Sequence, residues 1–335
     1  MKNLFSLLIL LLAVGCSSID EEITPQTQTP VDVYIAGQKN NQACYWKNNQ
    51  EILLANGESA SADTLIVAND DVHILGKKQY DNWITEFLYW KNNVRTNLTE
   101  TLSTQSEIVR NITGMEVVGT DVYLVGYTKN PLITAEIYEF SYWKNGVQTV
   151  LAIVNNPTYQ AKIKVVNNDV YVTGNASNCF DNCEGVFKNG VFTPLNNVNL
   201  RLTDFAINND EVSVYGNNYS NNSGYYKNLN SNTESTITQN INKLIFEGND
   251  LYILSSGIIL KNGIQIPTTA APSNGITNYI AFIQDFRVLD GNVFYILRGN
   301  TLNGVPFSLV GINNTNVFES LDNSASFNGI SLVQN

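Results

Sequence analysis

The sequence predicts an all-β protein, a seven-bladed β-propeller in which each blade contains four antiparallel strands. Three observations lead to this prediction. A short apolar strand, usually ending in glycine, recurs seven times, and a lysine–asparagine hairpin signature follows most copies. In addition, the first repeat lacks its opening strand, and the C-terminus carries a segment of the missing type. Self-similarity at a regular spacing along the chain is the sequence signature of a repeat architecture.

The recurring strand reads DVYIAG, DVHILG, DVYLVG and DVYVTG at residues 32–37, 71–76, 121–126 and 169–174, with weaker copies at 212–216, 251–255 and 294–299. The equivalent residues of successive copies, beginning with Tyr34 and ending with Tyr295, are separated by 39–50 residues, which is the spacing of propeller blades. The strand is apolar at nearly every position. We therefore expect neighbouring sheets to cover both of its faces.

The hairpin signature reads YWKNN or YWKNG in its clearest copies, at 45–49, 89–93 and 142–146. Asn-Asn or Asn-Gly between apolar runs favours positive φ and a tight turn. A second tight turn precedes the recurring strand, so the unit is four strands, A to D. The aspartates at the start of strand B (Asp71, Asp121, Asp169, Asp250) are interpreted as turn residues, and the hairpin lysines as a solvated rim.

Closure of the ring is predicted from the two ends of the repeat region. The first repeat begins directly at strand B with Asp32, and residues 326–335 match the A strands at 112–120 and 202–210. We expect the C-terminal strand to complete blade 1, which would remove the open edge between the first and last blades.

The N-terminus has the pattern of an exported protein. Lys2 precedes an apolar run from Leu7 to Val14 that is too short to span a membrane. Ala13-Val14-Gly15-Cys16 resembles a bacterial lipobox, with ordinary secretory cleavage near Gly15 as the alternative. We expect a lipoprotein signal peptide over 1–15, a lipidated flexible tether over 16–30 starting at Cys16, and the propeller over 31–335.

The YWKNG-type repeat behind a lipobox resembles that of uncharacterised propeller lipoproteins of Bacteroidota, and the resemblance covers the whole mature chain. The segment from Cys16 to Glu22 resembles the acidic export signal of surface-exposed lipoproteins in that group. The resemblance implies lipid anchoring in the bacterial outer membrane with exposure at the cell surface. It implies no reaction. The WD, Asp-box and kelch signatures are absent.

Composition argues against several classes of function. The net charge of −11 argues against a nucleic-acid partner. His73 is the only histidine, which excludes a His-rich zinc site and argues against a Ser-His-Asp triad; we expect neither metal nor cofactor. Cys179 and Cys183 flank a short loop and are predicted to form a disulfide, whereas Cys44 is predicted to be a buried free thiol. We expect a monomer.

The long B–C and D–A loops, which open on the face opposite the tight turns, are the predicted binding face. They place five aromatic residues where the repeat does not require one: Tyr80, Trp83, Tyr127, Phe180 and Tyr219. Aromatic rings beside amides suit a glycan or a peptide. The alternative is that these rings pack beneath their own loops.

Three functions remain open on sequence alone. The first is a non-catalytic recognition module for a glycan, peptide or protein partner. The second is a carbohydrate-active enzyme, a glycoside hydrolase or lyase, using carboxylates such as Asp81, Asp181 or Glu184; it needs two carboxyls about 5–9.5 Å apart. The third is a structural subunit of an envelope complex.

Overall fold

The computed structural model describes residues 30–80, 84–155, 160–176, 184–195, 199–268, 270–272, 279–321 and 324–335. These residues form seven antiparallel sheets of four strands each, together with one helical turn, α1 (Leu98–Thr101). The seven-bladed β-propeller predicted from the repeat is confirmed. No helix in these ranges has the length and apolar character needed to cross a membrane.

The strands follow the repeat along the chain. Blade 1 begins with β1 (Val31–Lys39), β2 (Gln42–Lys47) and β3 (Gln50–Glu58). Blade 2 contains β4 (Ala60–Ala68), β5 (Asp71–Gln79), β6 (Thr85–Lys91) and β7 (Val94–Asn97). Blade 3 contains β8 (Ile108–Val118), β9 (Asp121–Lys129), β10 (Tyr138–Lys144) and β11 (Val147–Val154). Blade 4 contains β12 (Ile163–Val166), β13 (Asp169–Asn175), β14 (Glu184–Lys188) and β15 (Val191–Pro194).

The remaining blades keep the same order. Blade 5 contains β16 (Leu200–Asn208), β17 (Glu211–Asn218), β18 (Ser223–Asn228) and β19 (Glu234–Ile237). Blade 6 contains β20 (Lys243–Glu247), β21 (Asp250–Ser255), β22 (Ile258–Lys261) and β23 (Ile264–Gln265). Blade 7 contains β24 (Tyr279–Leu289), β25 (Asn292–Thr301), β26 (Pro306–Ile312) and β27 (Thr315–Ser320), and β28 (Ala325–Gln334) returns to blade 1.

The core is divided into seven apolar clusters, each lying between two successive blades. The cluster between blades 3 and 4, for example, joins Phe140 to Phe187 through an edge-to-face contact at 5.6 Å. The A strands of successive blades also contact one another around the whole ring. Strand B is therefore covered on both faces, which explains why its sequence does not alternate.

Blade 1 is completed by the C-terminal strand, as the sequence predicts. β28 pairs antiparallel with β1 from Val31–Gln334 to Lys39–Ala325. Phe327 of β28 is fully buried and packs edge-to-face on Trp46 of β2 at 4.8 Å. The first and last segments of the propeller thus share one sheet, and β1 is not left as an edge strand.

The tight-turn face is organised by the repeated Asp, Lys and Asn residues acting together. In blade 1, Asn48 has φ 48°, accepts a hydrogen bond from Val33 N and donates one to Asp32. Lys47 Nζ lies 2.8 Å from the same aspartate. The arrangement recurs in blades 2, 3, 4 and 6. The lysines expected to form a merely solvated rim are thus ion-paired, and the aspartates are their partners as well as turn residues.

Two residues singled out from the sequence are structural. His73 takes the place of the repeat's tyrosine, is buried, and its Nδ1 lies 2.6 Å from Tyr89 Oη. Cys44 is a buried free cysteine, as expected. Burial raises the pKa of its thiol to about 12, so it stays protonated at neutral pH.

Candidate functional site

The A strands of all seven blades line an open cavity along the axis of the propeller, with a volume of about 900 Å³. We call this cavity the axial channel. Its size is at the upper end of the range for small-molecule sites. It lies inside the ring, away from the loops where the sequence placed the candidate aromatic residues.

A β-bulge in most A strands determines which side chains line the channel. In blade 2 the register shifts between Ala62 and Thr64, and Thr64 then pairs with Leu75, the residue before the repeat's glycine. The same shift occurs in blades 1, 3, 5 and 7. The equivalent residues of the seven blades form the first channel ring: Gly329, Thr64, Gly114, Lys162, Asp204, Lys243 and Asp285.

Side chains two residues further along each A strand lie on the same face, because strand side chains alternate. They form the second channel ring: Ser331, Ile66, Glu116, Lys164, Ala206, Ile245 and Arg287. All but Ser331 line the cavity.

Charge is distributed unevenly around the first ring. Blades 4 to 7 carry Lys162, Asp204, Lys243 and Asp285, so the sign alternates from blade to blade. Blades 1 to 3 carry only glycine or threonine at the same positions. Because three blades of the same ring fold with small uncharged residues there, the repeat does not require charge at this position. Charged groups that are partly removed from water are costly unless they are paired.

Asp285 is the most heavily bonded of these groups. Its Oδ1 lies 2.5 Å from Lys243 Nζ and 3.2 Å from Arg287 Nη1. The backbone N–H of Phe286 donates to the same oxygen at 2.9 Å, and that of Ile330 donates to Oδ2 at 3.1 Å. This carboxylate therefore joins blades 6, 7 and 1 within the channel.

The second ring holds another ion pair across a blade boundary. Lys164 Nζ of blade 4 lies 2.7 Å from Glu116 Oε1 of blade 3. Burial raises the pKa of Glu116, and the nearby charge of Lys164 acts in the opposite direction. Asp63, at the bulge of blade 2, is paired with Lys77 at 3.2 Å.

Lys162 and Asp204 differ from the other charged residues of the two rings. Lys162 Nζ makes only a long contact, 3.4 Å, with the carbonyl oxygen of Thr113. Asp204 Oδ1 accepts a hydrogen bond from Phe205 N at 2.8 Å. Within the described ranges neither has an ion-pair partner closer than 4 Å. Burial raises the pKa of Asp204, and the positive charge of Lys162 is the strongest electrostatic influence opposing it.

An aromatic residue lies at the long-loop end of the channel. Phe282, near the start of β24, is 52% exposed and lines the cavity. It lies against the short B–C turn of blade 6, where a Cβ added to Gly257 would be 3.6 Å from Phe282 Cβ. The channel thus opens on the long-loop face where the sequence predicted binding, and Phe282 of blade 7 lies at its mouth.

Two of the predicted aromatic residues are accessible on that face. Tyr80 is 43% exposed, donates a hydrogen bond to Glu86 Oε2 at 3.1 Å, and has Lys78 Nζ 5.3 Å from its ring. Tyr219 is 58% exposed, with the Arg201 guanidinium 5.2 Å from its ring. They belong to blades 2 and 5, so they do not form one platform.

Tyr127 requires a correction. It is completely buried, and its ring stacks on Phe140 at 4.8 Å, inside the cluster between blades 3 and 4. It lies in β9, which continues three residues past Gly126 to Lys129, and so it belongs to the core. Trp83, Phe180, Cys179, Cys183 and Cys16 lie outside the described residues.

Of the three carboxylates considered for catalysis, only Glu184 lies among the described residues. Asp81 and Asp181 also lie outside the described residues. Glu184 begins β14, where its Oε2 accepts a hydrogen bond from Leu202 N at 2.5 Å. Burial raises the pKa of Glu184 to about 7. It joins blade 4 to blade 5 and does not line the axial channel. Among the described residues, no three His, Cys, Asp or Glu side chains form a potential metal site.

Sequence reasoning missed the charged channel, although a signal was present. Aligning the A strands places Gly114, Lys162, Asp204, Lys243 and Asp285 at one position of the repeat. Charge at a position that is otherwise small or apolar is the informative feature. It went unnoticed because the A strand is the least regular part of the repeat.

Comparison with known proteins places the chain only at the level of the fold. No protein-family model and no curated protein matches it. Solved structures do match. The β-propeller domain of the Trilobed protease from Pyrococcus furiosus is 11% identical, with a TM-score of 0.55, over 89% of this chain and 95% of that one. That domain is described as having an open velcro topology, whereas β28 here pairs with β1.

Two further structures are more distant. A prolyl endopeptidase matches with 11% identity and a TM-score of 0.49, over 89% of this chain and 49% of its own, so this chain spans about half the length of that enzyme. A 6-phosphogluconolactonase-like protein from Bacteroides uniformis matches with 9% identity and a TM-score of 0.48, over 91% of this chain and 100% of that one. At these identities the likeness concerns the propeller fold alone.

Proposed function

We propose that this protein is a non-catalytic binding module that takes a small polar ligand into the axial channel from the long-loop face. The observation that carries the proposal is the set of charged residues in blades 4 to 7, at ring positions that blades 1 to 3 fill with glycine or threonine. Burying charge is costly, and the fold does not need it there. Lys243 and Asp285 join neighbouring blades through an ion pair, but Lys162 and Asp204 have no such partner among the described residues, and a polar ligand would account for these two charges.

Most of these charges are held rigidly, which favours binding over catalysis. Asp285 has four hydrogen-bond or ion-pair partners, and Glu116 is paired with Lys164. Burial raises the pKa of Asp285 to about 7, so it is the fixed position of this carboxyl group, and not its state of protonation, that favours binding. Pre-organised polar groups instead fix the orientation of a ligand at low entropic cost.

The enzyme alternative now rests on different carboxylates. Asp204 and Asp285 line the same channel, whereas Glu184 does not. Turnover of oligosaccharide substrates that is abolished by Asp204→Asn would favour a hydrolase or lyase over a binding module.

A ligand screen with a blocked channel tests the proposal. The full chain, purified in detergent, is screened by thermal shift against sugars, amino acids, organic acids and short peptides. Thr64→Trp introduces a bulky side chain into the first ring, whereas Thr315→Trp adds the same side chain at an exposed position on an outer strand. We expect ligands that stabilise the native and Thr315→Trp proteins to lose their effect on Thr64→Trp. Equal stabilisation of all three proteins, or none by any compound, would reject the channel and favour the structural-subunit alternative.

We also propose that Cys16 is lipidated and anchors the propeller to the outer membrane, facing the cell surface. The lipobox-like Ala13-Val14-Gly15-Cys16 and the acidic residues that follow support this. Mass spectrometry of the N-terminal peptide should find a diacylated cysteine, and Cys16→Ala should release the protein from membranes. Protease treatment of whole cells then distinguishes surface exposure from the inner leaflet. Recovery of an unmodified Cys16 would contradict the proposal.

A further inference from the structure

Lys162 and Asp204 are the unmatched charges of the axial channel. They occupy the same ring position in neighbouring blades and have opposite signs. The other charged residues of the two rings are held in two groups, Glu116 with Lys164 and Asp285 with Lys243 and Arg287. Within each of these two groups, the opposite charges pair with one another. The positive charges of Lys162, Lys164 and Arg287 act on Asp204 electrostatically, but among the described residues none of them lies close enough to it to form an ion pair.

The chemistry of these two groups selects a class of ligand. A simple anion would pair with Lys162 but leave Asp204 unmatched and repel it. A simple cation would have the reverse effect. A neutral sugar would offer hydrogen bonds but no charge. A molecule with both an anionic and a cationic group a few ångströms apart would satisfy both residues, and buried charges are stabilised mainly by such close pairing.

We propose that the axial channel binds a small zwitterion of the α-amino-acid class, whose carboxylate pairs with Lys162 and whose ammonium group pairs with Asp204. This inference rests on the proposed function. The cavity of about 900 Å³ leaves ample room for the ligand's side chain. Phe282 at the mouth presents an exposed aromatic face to it.

Matched ligands test the contributions of the ligand's ammonium and carboxylate groups one at a time. The full chain in detergent is titrated calorimetrically at neutral pH with L-leucine, L-phenylalanine, L-glutamate and L-lysine. Each amino acid is compared with its N-acetyl derivative, which lacks the ammonium group, and with its α-amide, which lacks the carboxylate. We expect at least one free amino acid to bind, with both of its derivatives weaker by about tenfold or more.

Variants of the protein should reproduce these losses one at a time. Asp204→Asn should weaken the free amino acid about tenfold while leaving the N-acetyl derivative unchanged or improved. Lys162→Gln should weaken the free amino acid similarly and spare the α-amide. Lys188→Gln, which removes a lysine paired with Asp169 on the tight-turn face, is the control and should change nothing. Because each channel variant removes an unmatched charge, both should fold, which the melting temperature verifies.

Two outcomes would overturn the inference. If free amino acids and both derivatives bind equally, or if none binds at about 10 mM, the channel does not select a zwitterion. The thermal-shift screen then distinguishes the two failures. Another compound that stabilises the native protein but not Thr64→Trp would preserve the proposed function and reject only the zwitterion. If the screen finds no such compound, both the proposed function and the zwitterion are rejected.

Discussion

The carbonyl oxygen of Ser61 lies so close to Gly76 that a Cβ atom on this glycine would be 2.0 Å from it. The bulge in β4 brings the A strand against β5 at Gly76, the last residue of the recurring six-residue motif. The same approach occurs at Gly37, Gly126 and Gly216, at 2.0–2.1 Å. The glycine that ends strand B is therefore required by its neighbour, because a side chain would collide with backbone.

Gly76→Ala should destabilise the propeller. The added methyl group meets a backbone carbonyl that cannot move without disturbing β4, and we expect a loss of about 1–3 kcal/mol in the free energy of unfolding. Ser255 is the matched control, since blade 6 carries serine at this position and its hydroxyl has no hydrogen-bond partner among the described residues. Ser255→Ala should change stability by less than about 1 kcal/mol. If urea denaturation gave the same loss of stability for Gly76→Ala and Ser255→Ala, the proposed collision with the Ser61 carbonyl would be wrong.

Removing residues 325–334 should prevent formation of a stable monomeric propeller. The deletion exposes the edge of β1 and the surface of Trp46 that Phe327 covers, and unpaired strand edges recruit other chains. Size-exclusion chromatography and thermal melting measure the result. A deleted chain that remains monomeric with an unchanged melting temperature would show that closure by β28 is dispensable.

Tyr127 and Tyr219 should respond oppositely to alanine substitution. Tyr127 is fully buried in the core, so Tyr127→Ala should cost about 3–5 kcal/mol of unfolding free energy. Tyr219 is more than half exposed, and Tyr219→Ala should cost no more than about 0.5 kcal/mol. Chemical denaturation of both variants checks the assignment. A small effect at Tyr127 would return this residue to the binding face.

Glu184 should make stability depend on pH. Its pKa in the folded protein is about 7, above its ordinary value of 4.5, because it is buried. The folded chain therefore holds a proton between pH 4.5 and 7 that the unfolded chain releases, so stability falls as the pH rises through this window. Glu184→Gln keeps an acceptor for Leu202 N and should match the native protein near pH 4.5, yet exceed it by up to about 3 kcal/mol at pH 8. Parallel pH profiles for the two proteins would contradict this.

Cys44 should be unreactive until the propeller unfolds. It is buried, and its thiol pKa is raised to about 12, whereas the thiolate is the form that alkylates. Iodoacetamide at pH 8 should leave it unmodified in the native protein and label it in denaturant. Peptide mapping of the same samples also tests the predicted Cys179–Cys183 disulfide. Native labelling of Cys44 would indicate local opening of blade 1.

The fold could be predicted because the same strand and turn pattern occurs in seven copies along the chain. Positions such as Asn48 and Gly76 recur for local reasons, a positive φ or a close backbone approach, and most copies of the repeat retain them. Prediction of the site was weaker. In the sequence Tyr127 follows the recurring strand, but whether β9 continues past Gly126 depends on its pairing with β8 and β10.

The sequence by itself determined the number of blades, the order of their strands and the completion of blade 1 by β28, because these follow from local periodicity and from matching one repeat to another. Only the tertiary structure decided which side chains meet on the axis. Lys162, Asp204, Lys243 and Asp285 are about 40 residues apart along the chain, and ring closure brings them to one cavity. Which of these residues form an ion pair depends on distances across blade boundaries, which no single repeat encodes.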